Sequence, residues 1–354
     1  MDWIADIRKA PIAESSKKQY VDNLKTLVKL MDNASLAELV SQPNRVIPAI
    51  AKRYESPHTR KSMVSAIKAL LKHVPGLKVK YAAAAETYHQ AFKEVDQKIF
   101  DDTASCVPSG RETAGWVKWD DIRAKQQSLE RLEYASPDHL LLSMYTLIEP
   151  ARSDYGHVKI VESIQETSAP DQNFLVLPRN GAMKAVLVLK LYKTRGRYGT
   201  FKREFPENLV RIIRQSLANT PREYLFVDIS GDPYDNKNSF TKHANRAFHR
   251  IFGRGLSISL VRHSFISALD FNQSTPAELI QHSKYMMHSI GMQQLYRRKV
   301  PDTGSSATTP KPARSSMMFP ASSSPKPASP PKPSGSWASG SSSDSDEGYR
   351  VYLV

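Results

Sequence analysis

Five side chains in this 354-residue sequence have the types needed to move a phosphodiester bond: Arg152, Lys193, Arg262, His288 and Tyr296, in that order. Attack on a DNA phosphodiester needs guanidinium forks on the non-bridging oxygens, where charge builds in the transition state. It also needs an ammonium to protonate the departing 5′-oxygen and a hydroxyl to attack in line. Such a site calls for no metal and no other cofactor. It does call for basic residues that are scattered along the chain and converge in the fold.

Taken singly, each residue has a plainer reading. Arg152 sits in Ile148-Glu149-Pro150-Ala151-Arg152-Ser153-Asp154-Tyr155, just past an apolar helix, and pairs as readily with Asp154 at the surface. Lys193 ends a strand in Leu191-Tyr192-Lys193-Thr194, as an exposed hairpin Lys would. Arg262 and His263 fall in Ser259-Leu260-Val261-Arg262-His263-Ser264-Phe265, among many apolar positions; an Arg embedded there needs a charged partner. His288 is equally a core histidine satisfied by backbone, and Tyr296, one of 15 tyrosines, equally a packing aromatic. Roughly two helical turns separate these last two, so a single helix and its lead-in can bring both to one pocket.

The elements that must position these residues follow from hydrophobic spacing. Tyr20, Leu24, Leu27, Val28 and Met31 predict a helix from Ser15 onward, capped by Ser15 or Ser16. Met63, Val64, Ile67, Leu70 and Leu71 predict another from Thr59, and a third runs from Tyr81 to Phe100. Residues 1–100 read as a small basic helical bundle, and 101–115 as a linker that begins Asp-Asp-Thr-Ala-Ser-Cys-Val-Pro-Ser-Gly. Residues 116–300 form the second domain. Trp116, Trp119 and Ile122 open a helix there, and 139–148 is apolar enough for a core helix. Strands are expected at Val158–Val161, Phe174–Leu177 and Ala185–Tyr192, and a hairpin turn at 193–199 leads into Thr200–Phe205. Helices return at Leu209–Leu217, Phe240–Phe252, Leu260–Leu269, Ala277–His282 and Met286–Tyr296. The fold expected is mainly α with a small antiparallel β-sheet: a helical N-terminal domain followed by an α-rich mixed one.

Lys and Arg outnumber Asp and Glu by 50 to 35, a formal charge of +15. The stretch 301–354 carries five basic residues against four acidic ones, so the excess lies on the part expected to fold. A polyanionic partner accounts for this, because each phosphate neutralised releases counterions; a basic surface kept for solubility accounts for it as well. The one cysteine, Cys106, excludes an intramolecular disulfide framework and a multi-Cys zinc site. No secretory n-region and h-region and no run of transmembrane length are present, so a soluble intracellular protein is expected. From Pro301 periodicity stops. Ser, Pro, Lys and Gly dominate 301–345, which reads as disordered, and Tyr349–Val354 as a frayed end or a docking segment. The Ser341–Glu347 run resembles an acidic-directed kinase site, and a Ser/Pro-rich tail of this kind suits a eukaryotic or eukaryotic-virus setting.

The order Arg, Lys on a β-hairpin, Arg-His at a helix start, His-Ser and then Tyr resembles that of the tyrosine recombinases, the phage-type integrase family. The resemblance spans about Ser15 to Lys299, with Leu141–Tyr155, Leu189–Gly199, Ser259–Phe265 and Met286–Tyr296 matching motif by motif. It implies an N-terminal DNA-clamping domain and a catalytic domain in which Tyr296 forms a 3′-phosphotyrosine link and frees a 5′-hydroxyl. By the same resemblance Arg152 and Arg262 clamp the phosphate, Lys193 is the general acid, and His288 hydrogen-bonds the phosphate or positions the reacting groups. The partners implied are double-stranded DNA and further copies of the chain, as a homo-tetramer on two DNA sites, with no membrane and no small-molecule substrate.

Two departures stand out. The family usually has His where this chain has Ser259, and His263, on the other side of Arg262, need not take its place. A hydroxyl can donate one hydrogen bond there but is no base near neutral pH. Asp154 lies two residues after Arg152, where many relatives have an acid three after; its expected job is to orient the Arg. Tyr285 lies upstream of His288, against the family order. The same chemistry also suits a type IB topoisomerase, and Ser259 suits a DNA-binding relative without catalysis.

Overall fold

The computed structural model describes residues 3–179, 184–234 and 236–299. The Ser/Pro-rich stretch read as disordered and the terminal Tyr349–Val354 lie outside the described residues. Contacts divide the chain between Val107 and Pro108 into two compact units.

The first unit is all helix: α1 (Trp3–Lys9), α2 (Glu14–Leu30), α3 (Leu36–Ser41), α4 (Pro43–Arg53), α5 (Pro57–His73), α6 (Leu77–Lys80) and α7 (Ala82–Ala104). Leu24 and Leu27 of α2, Leu39 of α3, Ile67 and Leu70 of α5 and Tyr88 of α7 are fully buried and share one core. Their three- and four-residue spacing puts them on the inward stripe of each helix. Burial of such side chains contributes about 1.5–3 kcal/mol each, which holds the helices together. The Tyr88 hydroxyl donates to the carbonyl of Leu39, which satisfies the one polar atom that this ring carries inside. Lys18, Lys25, Lys29, Lys52, Arg53 and Lys72 stay on the exposed faces. Ser15 and Ser16 do not cap α2. They lie inside its first turn, and Ala13 is the N-cap without a side-chain bond.

The segment expected as a linker is narrower than 101–115. Helix α7 runs on to Ala104, and Ser109 opens α8 (Gly110–Gly115) through a reciprocal capping box with Glu112. The Ser-x-x-Glu spacing of Ser109 and Glu112 marks a helix start within a stretch whose Pro and Gly otherwise suggest a linker.

The second unit continues with α9 (Trp119–Leu132) and α10 (Pro137–Thr146), then β1 (Val158–Val161), β2 (Asn173–Val176), β3 (Val186–Leu189), α11 (Arg195–Tyr198) and β4 (Phe201–Glu204). It closes with α12 (Glu207–Asn219), α13 (Lys237–Phe252), α14 (Ile258–Ser267), α15 (Pro276–Tyr285) and α16 (Ile290–Tyr296). Helix α10 is the buried centre, with Leu140, Leu141, Leu142 and Met144 all at 1 % exposure or less. Tyr145 at its end meets the rings of Tyr155 and Phe248 edge to face, with centroids 5.4 and 5.6 Å away. Gly156 lets Phe240 of α13 lie against the backbone just beyond Arg152; a Cβ there would come within 2.4 Å of the Phe240 side chain.

The sheet has the order β1-β2-β3-β4 and is mixed, which corrects the antiparallel sheet expected from sequence. β2 pairs antiparallel with β3, and β3 with β4, but β1 and β2 run parallel. The chain between β1 and β2 holds a 3₁₀ turn (Ile164–Thr167), so the second strand re-enters the sheet in the direction of the first instead of folding back as a hairpin. Strand alternation is strict. Leu175, Leu187 and Leu189 enter the main core, while Val161, Phe174, Val176 and Val188 form a smaller cluster on the other face.

Candidate active site

Strand β3 stops at Leu189, three residues short of the strand expected up to Tyr192. The cause is Asn173, 4 % exposed, at the start of β2. Its Oδ1 accepts from the backbone N–H of Lys190 at 2.8 Å and of Leu191 at 2.7 Å, taking the place of a strand partner. Its Nδ2 donates to the carbonyls of Leu191 at 3.1 Å and Asp154 at 3.3 Å. One amide thus ties the segment after Arg152 to the segment before Lys193. The expected hairpin turn at 193–199 contains the short helix α11, closed by Gly199 at φ 68° and by a Tyr192 hydroxyl bond to the Gly199 carbonyl.

Met286–Tyr296 is not one helix. Helix α15 ends at Tyr285, Met287 takes a left-handed conformation at φ 56°, and Ser289 caps α16 with a bond from the Met292 N–H. His288 sits in this turn and Tyr296 at the last position of α16, so a helix and its lead-in do carry both. The turn matters because its carbonyls are a meeting point. Arg152 Nη1 and the Thr194 hydroxyl both donate to the carbonyl of Met287 at 3.1 Å. Arg262 Nη1 and Nη2 reach the carbonyl of Met286 at 3.4 Å, and Nη1 also donates to that of Pro150 at 2.8 Å. Residues as far as 135 positions apart in sequence are brought to two adjacent peptide groups.

Tyr296 lies inside this cluster. The residue is 8 % exposed, and the Arg262 guanidinium stands 5.2 Å from the ring centroid. The His288 ring meets it edge-on at 5.3 Å, and the His263 ring lies against it at 4.6 Å with 19° between the planes. His288 is 3 % exposed, and neither ring nitrogen has a hydrogen-bond partner among the described residues. Burial pushes its pKa well below the usual histidine range, and the charges of Arg262 and Arg152 push the same way. The imidazole is therefore neutral at neutral pH, with one N–H and one lone pair to offer.

Lys193 is exposed, next to the Thr194 that is bonded to the Met287 carbonyl. Ser259 is half-buried in the first turn of α14, three residues before Arg262 and on the same helical face. Asp154 is buried, and its Oδ1 accepts from Lys237 Nζ at 2.8 Å; this ion pair with α13 is a role the sequence did not suggest. Tyr285 packs its ring under the Arg203 guanidinium, 4.3 Å away, and against Phe201.

Three participants escaped sequence reasoning. His263 lies on the other side of Arg262 from Ser259, yet its ring contacts Tyr296. Thr194 is an ordinary turn residue in sequence. The left-handed turn at Met287 has no sequence signal, since a non-glycine residue there is uncommon and carries no mark of its own.

No protein-family profile and no curated protein matches this chain. Among solved structures it is similar to the crystal structure of XerA recombinase, with 12 % identity and a TM-score of 0.37, over 85 % of this chain and 94 % of that one. A likeness at that level assigns no role to any residue here. No helix among the described residues is long and apolar enough to cross a membrane.

Proposed function

We propose that the chain cuts and rejoins DNA strands through a covalent link to Tyr296, as a tyrosine recombinase does. The observation that carries this reading is the gathering of Arg152, Arg262 and His288 about the Met286–His288 turn, with Tyr296 against Arg262 and His288. Arg262, buried against the phenol, and Arg152, half-buried and bonded to the neighbouring carbonyl, are poorly explained as packing, since burying a cation carries a desolvation cost. They are well explained as a seat for a phosphate.

In this mechanism Arg152 and Arg262 bind the non-bridging oxygens and offset the charge of the pentavalent transition state. His288, kept neutral by burial and the two Arg charges, donates its N–H to the same phosphate. The Tyr296 oxygen bonds to phosphorus, its proton passes to solvent, and the bond to the 5′-oxygen breaks. Lys193 supplies the proton that the 5′-oxygen takes up, from an exposed place in the β3–β4 connection. Rejoining reverses these steps, and the phosphotyrosine bond keeps the energy of the broken one. The net charge of +15 suits double-stranded DNA, and assembly of four copies on two sites would complete a recombination.

Ser259 favours a slow member of the class. It stands one helical turn before Arg262, where a hydroxyl offers one hydrogen bond and no base. The test is covalent trapping on a nicked suicide duplex. Wild type should form a protease-sensitive protein–DNA adduct that Tyr296→Phe does not form, with DNA affinity unchanged. An adduct from Tyr296→Phe equal to that from wild type overturns the assignment. Relaxation of supercoiled plasmid without paired sites would redirect the reading to a topoisomerase.

A further inference from the structure

Helix α16 has seven residues, too few to hold its shape alone, and Tyr296 is its last. The carbonyl of Tyr296 is one of the terminal four that a helix leaves without an internal partner. His263 of α14 meets this carbonyl with Nδ1 at 2.6 Å and lays its ring face on the phenol ring. A carbonyl only accepts, so Nδ1 carries the proton and Nε2 carries the lone pair. Both ends of the residue are thereby held, its backbone by a hydrogen bond and its ring by a stack.

The chain just beyond is held by α14 and α8. The backbone N–H of Arg298 donates to Ser267 Oγ of α14 at 2.8 Å. The Arg298 guanidinium grips Glu112 of α8 through Nε and Nη2, each at 2.9 Å, and caps the carbonyls of Leu295 and Arg297. Glu112 Oε1 lies 3.9 Å from His263 Nε2, so histidine, acid and arginine form one cluster.

We propose that His263 is the positioning residue for Tyr296, fixing the phenol's place before DNA arrives, with Glu112 and Arg298 holding the segment that follows. This rests on the reading of Tyr296 as the nucleophile. His263 takes no part in proton transfer, because its N–H is committed to a carbonyl; it does not stand in for the histidine that Ser259 replaces. Burial pushes its pKa down to about 4, with the Arg298 charge acting in the same direction, so the neutral form that the geometry requires persists at neutral pH.

Single-turnover adduct formation on the nicked duplex, run beside DNA affinity by fluorescence anisotropy, tests this. His263→Phe keeps the stack and loses the N–H; His263→Asn loses the stack and keeps an N–H donor. Adduct formation by His263→Phe should slow about tenfold or more, since a small misplacement of a reacting group costs rate steeply. Its DNA affinity should stay within about twofold of wild type, and His263→Asn should recover part of the rate. Histidine-labelled wild-type protein, followed by long-range nitrogen–proton NMR, gives a readout free of activity. One histidine should stay a neutral Nδ1–H tautomer down to pH 5 and disappear in His263→Asn. A His263 signal that titrates near pH 6.5, or that shows the Nε2–H tautomer, overturns the proposal. A wild-type adduct that His263→Phe forms as fast overturns it alone, while a wild type that forms no adduct removes the Tyr296 reading together with it.

Discussion

Arg152 Nη1 donates to the carbonyl of Met287, a residue 135 positions later in a left-handed turn, at 3.1 Å. That one bond joins the segment after α10 to the lead-in of α16, and Arg262 does the same from α14 through the Met286 carbonyl. Lysine has the charge but not the fork. Arg262→Lys cannot span Pro150, Met286 and the Tyr296 face at once, so adduct formation should fall roughly 10²–10³-fold. Arg152→Lys should fall by a similar factor. Because Arg262 is buried and Arg152 only half-buried, urea denaturation should show the larger loss of stability in Arg262→Lys.

Asn173 supports the site from a distance. Replacing it with Leu leaves the N–H groups of Lys190 and Leu191 without their acceptor. An unsatisfied donor costs about 1–3 kcal/mol when buried and less where, as here, its bond is part-buried, so a loss of about 1–3 kcal/mol in all is expected in urea denaturation. Adduct formation should slow as well, because these residues lead directly to Lys193. Asn173→Asp keeps the acceptor oxygens and should recover most of the rate; equal losses in both variants would show that the amide donors matter more.

Ser259 should respond to a gain of function. Ser259→His puts an imidazole one turn before Arg262, a group that can donate to a phosphate and exchange a proton near neutral pH. Single-turnover cleavage should rise about tenfold or more, with a new dependence on pH between about 6 and 7. An unchanged rate would mean that Ser259 does not limit the reaction.

Acid should destabilise the site through its histidines. His288 and His263 both have lowered pKa values in the folded chain, so folding favours their neutral forms. The stability they contribute is complete above the ordinary histidine value of about 6.5 and declines as pH falls through that value toward the folded ones. For His263 this window runs from about 6.5 to about 4. Denaturation midpoints measured from pH 7.5 to 4.5 should fall in wild type and fall less steeply in His288→Asn.

The sequence alone determined the helical character of both halves and the placement of the strands, because burial on one side of an element leaves a period of about 3.6 or 2 in the residue types. It also singled out Arg152, Lys193, Arg262, His288 and Tyr296, through their order and their chemistry. It could not determine the direction of β1 against β2, since parallel and antiparallel pairing place the same alternation on the same faces. Nor could it place the break at Met287 or the end of β3. The first rests on a backbone conformation that the side chain does not announce, and the second on a single amide reaching in from another strand. His263 shows the limit most plainly. Adjacent to Arg262 in sequence, it points about 100° away around α14, and only the packing of α16 against that face makes it the neighbour of Tyr296.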